Sequence, residues 1–110
     1  MSYHLFERFG VELEYMVVDR DTLAVKPVVD RLLQAAAKLP GANVESESEP
    51  GWPDEVSLGP ISLSNELTAH VLEFKATEPT PQLHGVSTLF ADAIKKITPL
   101  LENENCVLLP

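Results

Sequence analysis

The segment FGVELEYMVVD, residues Phe9–Asp19, decides the fold because it has the composition of a core β-strand. Side chains alternate between the two faces of a strand, so Glu12 and Glu14 point to one face, about 7 Å apart along the chain. We expect the opposite face to pack against helices through five side chains: Phe9, Val11, Leu13, Tyr15 and Val17. Two carboxylates in such a strand need an explanation beyond packing.

Two helices are predicted from apolar spacing. Pro27 opens a short helix, PVVDRLLQAAAKL, and Thr80 is a good N-cap for a longer one, TPQLHGVSTLFADAIKKI, with Pro81 at its first position. The apolar stripe of the short helix consists of Val28, Val29, Leu32, Leu33 and Ala36. The predicted buried face of the long helix consists of Leu83, Val86, Phe90, Ala93, Ile94 and Ile97.

Three more extended regions follow the first strand: VSLGPISLSNE, in which Gly59-Pro60 indicates a bend or an edge strand, LTAHVLEFKAT, and NCVLLP. ESESEPGWPDE contains five acids, two prolines and a glycine, which is typical of an exposed loop. The alternative is a mobile loop that covers a site and contacts it through Trp52. The order β-α-β-β-α-β predicts an α+β fold with helices on one face of a mainly antiparallel sheet, in which some strands are parallel if the helices act as crossovers.

Charge and composition restrict the partners of this chain. With 110 residues, it is long enough for one small domain with a hydrophobic core. Its 17 acidic and 8 basic residues give a net charge of −9, which argues against nucleic acid or an anionic membrane surface as the main partner. No run approaches the ~20 apolar residues of a membrane span, and MSYHLFERFG lacks the apolar core of a signal peptide. We therefore expect a cytoplasmic protein, in which the single cysteine, Cys106, is a buried small hydrophobic residue.

Three explanations for Glu12 and Glu14 remain open at this point. Their face is in water, or they pair with basic residues such as Lys75 and Arg8, or they hold a divalent cation. The strand LTAHVLEFKAT raises the same question, because Glu73 interrupts its apolar run and Glu66 lies seven positions earlier.

Glu66 and Glu73 face opposite ways in an ideal strand, because seven is an odd number. They converge only if Glu66 precedes the regular strand or if a bulge intervenes. Four carboxylates from two neighbouring strands form an oxygen-rich cage of the kind that Mg²⁺ or Mn²⁺ prefers.

The two motifs FGVELEYMVVD and ELTAHVLEFKATEP together resemble the N-terminal part of the glutamate–cysteine ligase family and its carboxylate–amine ligase relatives. In that family a strand of the form G-hydrophobic-E-x-E opens the catalytic domain. A later strand carries an acid, six intervening residues, a Glu, and then a short run that ends in Thr and Pro. Glu66, Glu73 and FKATEP match this pattern, although Glu78 is inserted between Thr77 and Pro79.

The resemblance implies a glutamine-synthetase-like fold whose sheet cups ATP, metal ions and glutamate. It implies that ATP activates the glutamate γ-carboxylate as an acyl phosphate, which cysteine or another amine attacks in the first step of glutathione synthesis. Glu12, Glu14, Glu66 and Glu73 are then ligands of Mg²⁺ (or Mn²⁺), and no residue is assigned as catalytic. Catalytic domains of this family are several times longer, so residues 1–110 are expected to be an N-terminal segment that is inactive alone.

A second interpretation belongs to another class of protein. The chain is then a non-enzymatic acidic α+β interaction module, and its glutamates are a solvated sheet face. On either interpretation, exposed sheet edges favour self-association.

Overall fold

The computed structural model of the chain describes residues 12–65, 70–76 and 83–110, with side chains from residue 88 onward in the last range. The elements in chain order are β1 (Glu12–Asp19), α1 (Val29–Ala36), β2 (Ala42–Glu49), β3 (Trp52–Leu58), β4 (Ile61–Asn65), β5 (Val71–Ala76), α2 (Leu83–Asn103) and β6 (Cys106–Leu109). The strands form one six-stranded sheet in the order β2-β3-β4-β5-β1-β6, in which every neighbouring pair is antiparallel. The predicted α+β class and antiparallel sheet are confirmed.

Strand β1 lies inside the sheet, between β5 and β6. Its predicted alternation is confirmed, because Glu12 and Glu14 are exposed on one face, whereas Val17 is fully buried on the other. Tyr15 is half-buried on the same side as Val17 and meets the Phe74 ring edge-on, with centroids 5.5 Å apart. Phe9 and Val11 lie outside the described residues.

The core lies between the two helices and a single face of the sheet. The predicted stripe of α1 is confirmed, since Val28, Val29, Leu32, Leu33 and Ala36 are all buried. On α2, Phe90, Ala93 and Ile97 are buried and Ile94 is half-buried, as predicted. The sheet contributes nine buried apolar residues from five strands: Val17, Val56, Leu58, Ile61, Leu63, Leu72, Phe74, Ala76 and Cys106. The side chains of Leu83 and Val86 and the predicted cap at Thr80 and Pro81 lie outside the description.

The prediction of a loop at ESESEPGWPDE is wrong, because this segment forms most of a hairpin between β2 and β3. Glu49 pairs with Trp52 across the two-residue turn Pro50-Gly51. Gly51 has a φ of 85°, as position i+2 of a type II turn requires. Both strands form despite their charge because the sheet supplies backbone hydrogen-bond partners. Strand β3 pairs with β4 on its other side, and β2 pairs with the edge that β3 provides.

The segment VSLGPISLSNE also folds as two strands, joined at Gly59-Pro60. The predicted bend is confirmed, but both strands lie in the sheet interior rather than at an edge. Helix α2 continues six residues beyond the predicted end at Ile97 and passes through Pro99. Thr98 Oγ1 donates a hydrogen bond of 2.8 Å to the Ile94 carbonyl, and the buried Leu101 holds the last turn against the core.

The final strand, β6, confirms the extended reading of NCVLLP and pairs with the second half of β1. Cys106 is buried with 1% of its surface exposed, as predicted, and this burial raises the pKa of its thiol. Within the described ranges, no helix is long and apolar enough to cross a membrane.

Candidate functional site

The sheet face opposite the helices, here called the open face, carries both glutamates of β1. Residues paired directly across antiparallel strands point to the same face, so the register groups the open-face side chains into rows. The basic row contains Ser62 of β4, Lys75 of β5 and Glu12 of β1. The carboxylate row contains Ser64, Glu73 and Glu14 of the same strands. The apolar row contains Val71 of β5, Met16 of β1 and Leu109 of β6.

The carboxylate row places two acids face to face. Glu14 and Glu73 are direct cross-strand partners, an arrangement that destabilises a sheet when both groups are charged. Glu73 is 6% exposed although it lies on the face away from the helices. Ser64 Oγ donates a hydrogen bond of 3.3 Å to Glu73 Oε1, which partly compensates for the burial of this carboxylate. This pairing of like charges costs stability, so packing alone does not explain it.

Glu12 joins this row from one pleat away. A side-chain hydrogen bond with Glu73 and the negative charge of Glu73 raise the pKa of Glu12, and burial adds to the effect. The Lys75 charge acts in the opposite direction and is outweighed. The Glu12 and Glu73 carboxyl groups therefore interact electrostatically across the strand pair.

Lys75 is half-buried in the middle of the basic row, opposite Glu12 on one side and Ser62 on the other. Within the described part of the chain, Lys75 forms no ion pair with a carboxylate; the ion pairs there are Lys26–Asp19 and Arg31–Glu104. The alternative in which basic residues pair with the glutamates is thus limited to the charge of Lys75 acting on Glu12. Arg8 lies outside the description.

The apolar row continues the open face beyond the carboxylates. Met16 is 40% exposed, and Val71 and Leu109, which flank it on the neighbouring strands, are half-buried. The surface next to Glu14 and Glu73 is therefore apolar and accessible.

Three of the four predicted metal ligands, Glu12, Glu14 and Glu73, lie on the open face. Glu66 lies outside the described residues, so its place in the cage stays a prediction. Among the residues that are described, no three His, Cys, Asp or Glu side chains converge as a metal-holding group. The solvated-face explanation fits the exposed Glu12 and Glu14 but does not account for Glu73, which is buried.

Sequence reasoning missed Ser64 and Met16 as parts of this face. The signal for both lies in the cross-strand register, because Ser64 pairs with Glu73, and Met16 follows Glu14 by one pleat. That register becomes visible only when the partner strands are known.

A groove of about 260 Å³ lies between α2 and β6. It is lined mainly by apolar side chains, with Arg20 and Glu102 as its charged residues. It contains no paired carboxylates, whereas the open face places Glu14 opposite the buried Glu73, so the open face is the better candidate for a functional site.

Comparison of the chain with protein-family models, with curated proteins and with solved structures gives no match.

Proposed function

We propose that this chain carries part of the active site of an ATP-dependent carboxylate–amine ligase of the glutamate–cysteine ligase type. Such an enzyme forms a γ-glutamyl amide from glutamate and cysteine, or another amine, through an acyl phosphate. The observation that supports the proposal is the position of the buried Glu73 directly opposite Glu14 on the helix-free face, which Glu12 shares. We also propose that the protein is cytoplasmic, because its sequence has neither the apolar core of a signal peptide nor an apolar run of membrane-spanning length.

The donor set fits Mg²⁺ or Mn²⁺. Mg²⁺ in phosphoryl-transfer sites is typically held by one or two carboxylates together with phosphate oxygens, and does not require a complete protein cage. Glu14 and Glu73 supply two carboxylates from directly paired positions, and Glu12 supplies a third two residues along β1. Glu66 remains the predicted fourth ligand. Held by these carboxylates, a dication would neutralise charge on the transferred phosphoryl group and would align that group for attack.

The protein's own residues prepare the face for such a ligand. Ser64 orients Glu73 through its hydrogen bond, which fixes one carboxylate in place before anything binds. Glu12 and Glu14 remain exposed on a regular strand, so their carboxylates are accessible to a ligand from solvent. The sheet therefore holds the acids together, and their mutual repulsion favours any cation that separates their charges.

A metal titration tests this proposal. Mg²⁺ is expected to raise the melting temperature of the chain, because binding to the native state alone stabilises it, by about 1.4 kcal/mol at ten times Kd. Glu12→Gln and Glu14→Gln are expected to abolish most of this rise, since each removes a charged ligand oxygen. Glu102→Gln, an exposed acid on α2 far from this face, is the matched control and retains the rise.

The alternative, a non-enzymatic acidic interaction module, gives the opposite result. Glu14→Gln then stabilises the metal-free protein by removing repulsion from Glu73, and the response to Mg²⁺ is the same in every variant. That outcome would overturn the ligase proposal.

A further inference from the structure

The outer edge of β6 presents backbone groups that β1 does not use. The Arg20 N–H donates to the Asn105 carbonyl oxygen at 3.0 Å, so these two residues form a hydrogen-bonded pair at one end of the β1–β6 ladder. Hydrogen-bonded pairs alternate with non-hydrogen-bonded ones in an antiparallel ladder. Val107 and Leu109 therefore bond to β1, whereas Leu108 directs its N–H and C=O groups away from β1.

The backbone of β1 agrees with this assignment. Val17, the residue opposite Leu108, donates its N–H to the His70 carbonyl at 2.7 Å and accepts a hydrogen bond of 2.8 Å from the Lys26 N–H. Both backbone groups of Val17 thus point away from β6. Because β6 is the last strand of the described sheet, the Leu108 N–H and C=O lie on its outer edge, where another strand can bond to them.

Charge determines which edge of a second copy suits β6. The other edge strand, β2, carries Glu45, Glu47 and Glu49, whereas β6 has the uncharged sequence CVLL. Pairing of β2 with β2 brings together three acids from each copy, and pairing of β6 with β2 sets an apolar strand against three acids. Pairing of β6 with β6 brings no carboxylate of an edge strand into the interface, which matters for a chain with a net charge of −9.

The open face beside β6 carries a second uncharged row. Val107 pairs with Val18, and Val25 forms an isolated bridge to Val18 on the other side. Directly opposite residues share a face, so these three residues form a row, here called the valine row, one pleat away from the apolar row. Val18 is buried, and Val25 is 52% exposed.

We propose that two copies of the chain pair through β6, antiparallel to each other, about a two-fold axis at Leu108. Leu108 of each copy then donates its N–H to the Leu108 carbonyl of the other, and Val107 of each lies opposite Leu109 of the other. The apolar row of one copy continues into the valine row of the second. On the helix side, where Leu108 lines the groove between α2 and β6, the two Leu108 side chains meet at the axis.

A register centred on Val107 is the main alternative, and it fits less well. It places Leu109 opposite Asn105 of the other copy, which is polar and whose φ of 52° is not that of an extended strand. The register centred on Leu108 instead pairs apolar residues with each other and leaves Asn105 outside the ladder.

Cysteine cross-linking tests the interface and its register together. In a Cys106→Ala background, Val107→Cys chains and Leu109→Cys chains are oxidised mildly, each alone and as a mixture. The mixture is expected to give severalfold more disulfide-linked dimer than either variant alone, because these two positions face each other as a closely spaced, non-hydrogen-bonded pair. Ser48→Cys, exposed on the edge strand β2, is the control for random collision.

Sedimentation velocity of the unsubstituted chain supplies a second measurement that needs no variant to fold. The dimer fraction is expected to rise with ionic strength, because salt screens the repulsion between two chains of charge −9 and β6 contributes no ion pair that salt would weaken.

Each remaining outcome counts against the proposal. Efficient cross-linking of Val107→Cys with itself overturns the register. A chain that stays monomeric as its concentration rises, or a dimer that dissociates as salt is added, overturns the interface. None of these results depends on Mg²⁺, so the failure of this inference and the failure of the proposed function are distinguishable.

Discussion

Glu104 joins the two helices through its side chain. Arg31 of α1 donates to both of its carboxylate oxygens, from Nη2 at 2.8 Å and from Nε at 3.2 Å. Lys26 Nζ donates to the Glu104 carbonyl oxygen as well, and also pairs with Asp19. The Arg31 guanidinium holds the pKa of Glu104 below its usual 4.5, so the charged form belongs to the native state.

This contact predicts a loss of stability in acid. A lowered native pKa contributes stability that is present above pH 4.5 and lost as the pH falls through the native value. Asp19 acts in the same direction, because the backbone N–H groups of Thr22 and Asp21 lower its pKa. Glu104→Gln is expected to lower the melting temperature slightly at pH 7 and to have progressively less effect as the pH falls below 4.5. Melting curves against pH check this, with Glu102→Gln as the control. A difference that stays constant from pH 7 to pH 3 would contradict it.

The positions of Glu12, Glu14 and Glu73 differ in how far the sequence alone predicts them. That Glu12 and Glu14 share a face follows from strand alternation alone, and the structure has them so. Glu73 lies between Glu14 of β1 and Ser64 of β4, and this placement depends on the register of three strands. Register is fixed by pairing between distant segments, so no local pattern around Glu73 contains it.

The β2–β3 hairpin is difficult to predict from sequence because β2 is rich in charged residues. The segment Asn43–Glu49 is exposed throughout, so it lacks the alternation between buried and exposed positions by which strands are recognised. Pro53 also argues against a strand, but it lies where the register with β2 is irregular, and a proline is tolerated there. The predicted length of helix α2 is too short for a related reason. Pro99 normally ends a helix, but the burial of Leu101 against the core keeps the last turn helical.

The hairpin turn gives a prediction of its own. Gly51→Ala is expected to lower the free energy of unfolding by about 1 kcal/mol, because a φ of 85° strains a residue that has a Cβ atom. Space is not the cause, since no heavy atom lies within 4 Å of that Cβ position. Gly51→Asn is the matched variant and loses less, because asparagine tolerates this conformation better. Urea unfolding measures both. Equal losses for alanine and asparagine would show that the turn responds to something other than backbone conformation.

At the scale of the whole molecule, the two edges of the described sheet are unlike. The edge strand β2 carries Glu45, Glu47 and Glu49, whereas the edge strand β6 has the sequence CVLL and no charge. Charged side chains on an edge oppose pairing with another chain, and an apolar edge invites it. We therefore expect any self-association to join β6 of one copy to β6 of a second copy, beside the groove between α2 and β6.

Sedimentation velocity over a range of protein concentrations tests this expectation. Leu109→Lys is expected to shift the chain towards the monomer, because a lysine on an edge strand hinders pairing with a second copy. Ser48→Lys places the same charge on the edge strand β2 and is the control that leaves association unchanged. Association that is equally sensitive to both substitutions would exclude β6 as the interface.

The interior position of β1 has a consequence for synthesis. Its residues leave the ribosome before those of the other described strands, yet both of its partners, β5 and β6, come from beyond residue 70. At ordinary translation rates the strand waits on the order of several seconds before β5 exists, with its apolar face uncovered. Long-range pairing of this kind also slows folding, because the loop must close before the contacts form. The strand that bears Glu12 and Glu14 is thus the one most in need of chaperone protection, and the candidate site assembles only when the sheet does.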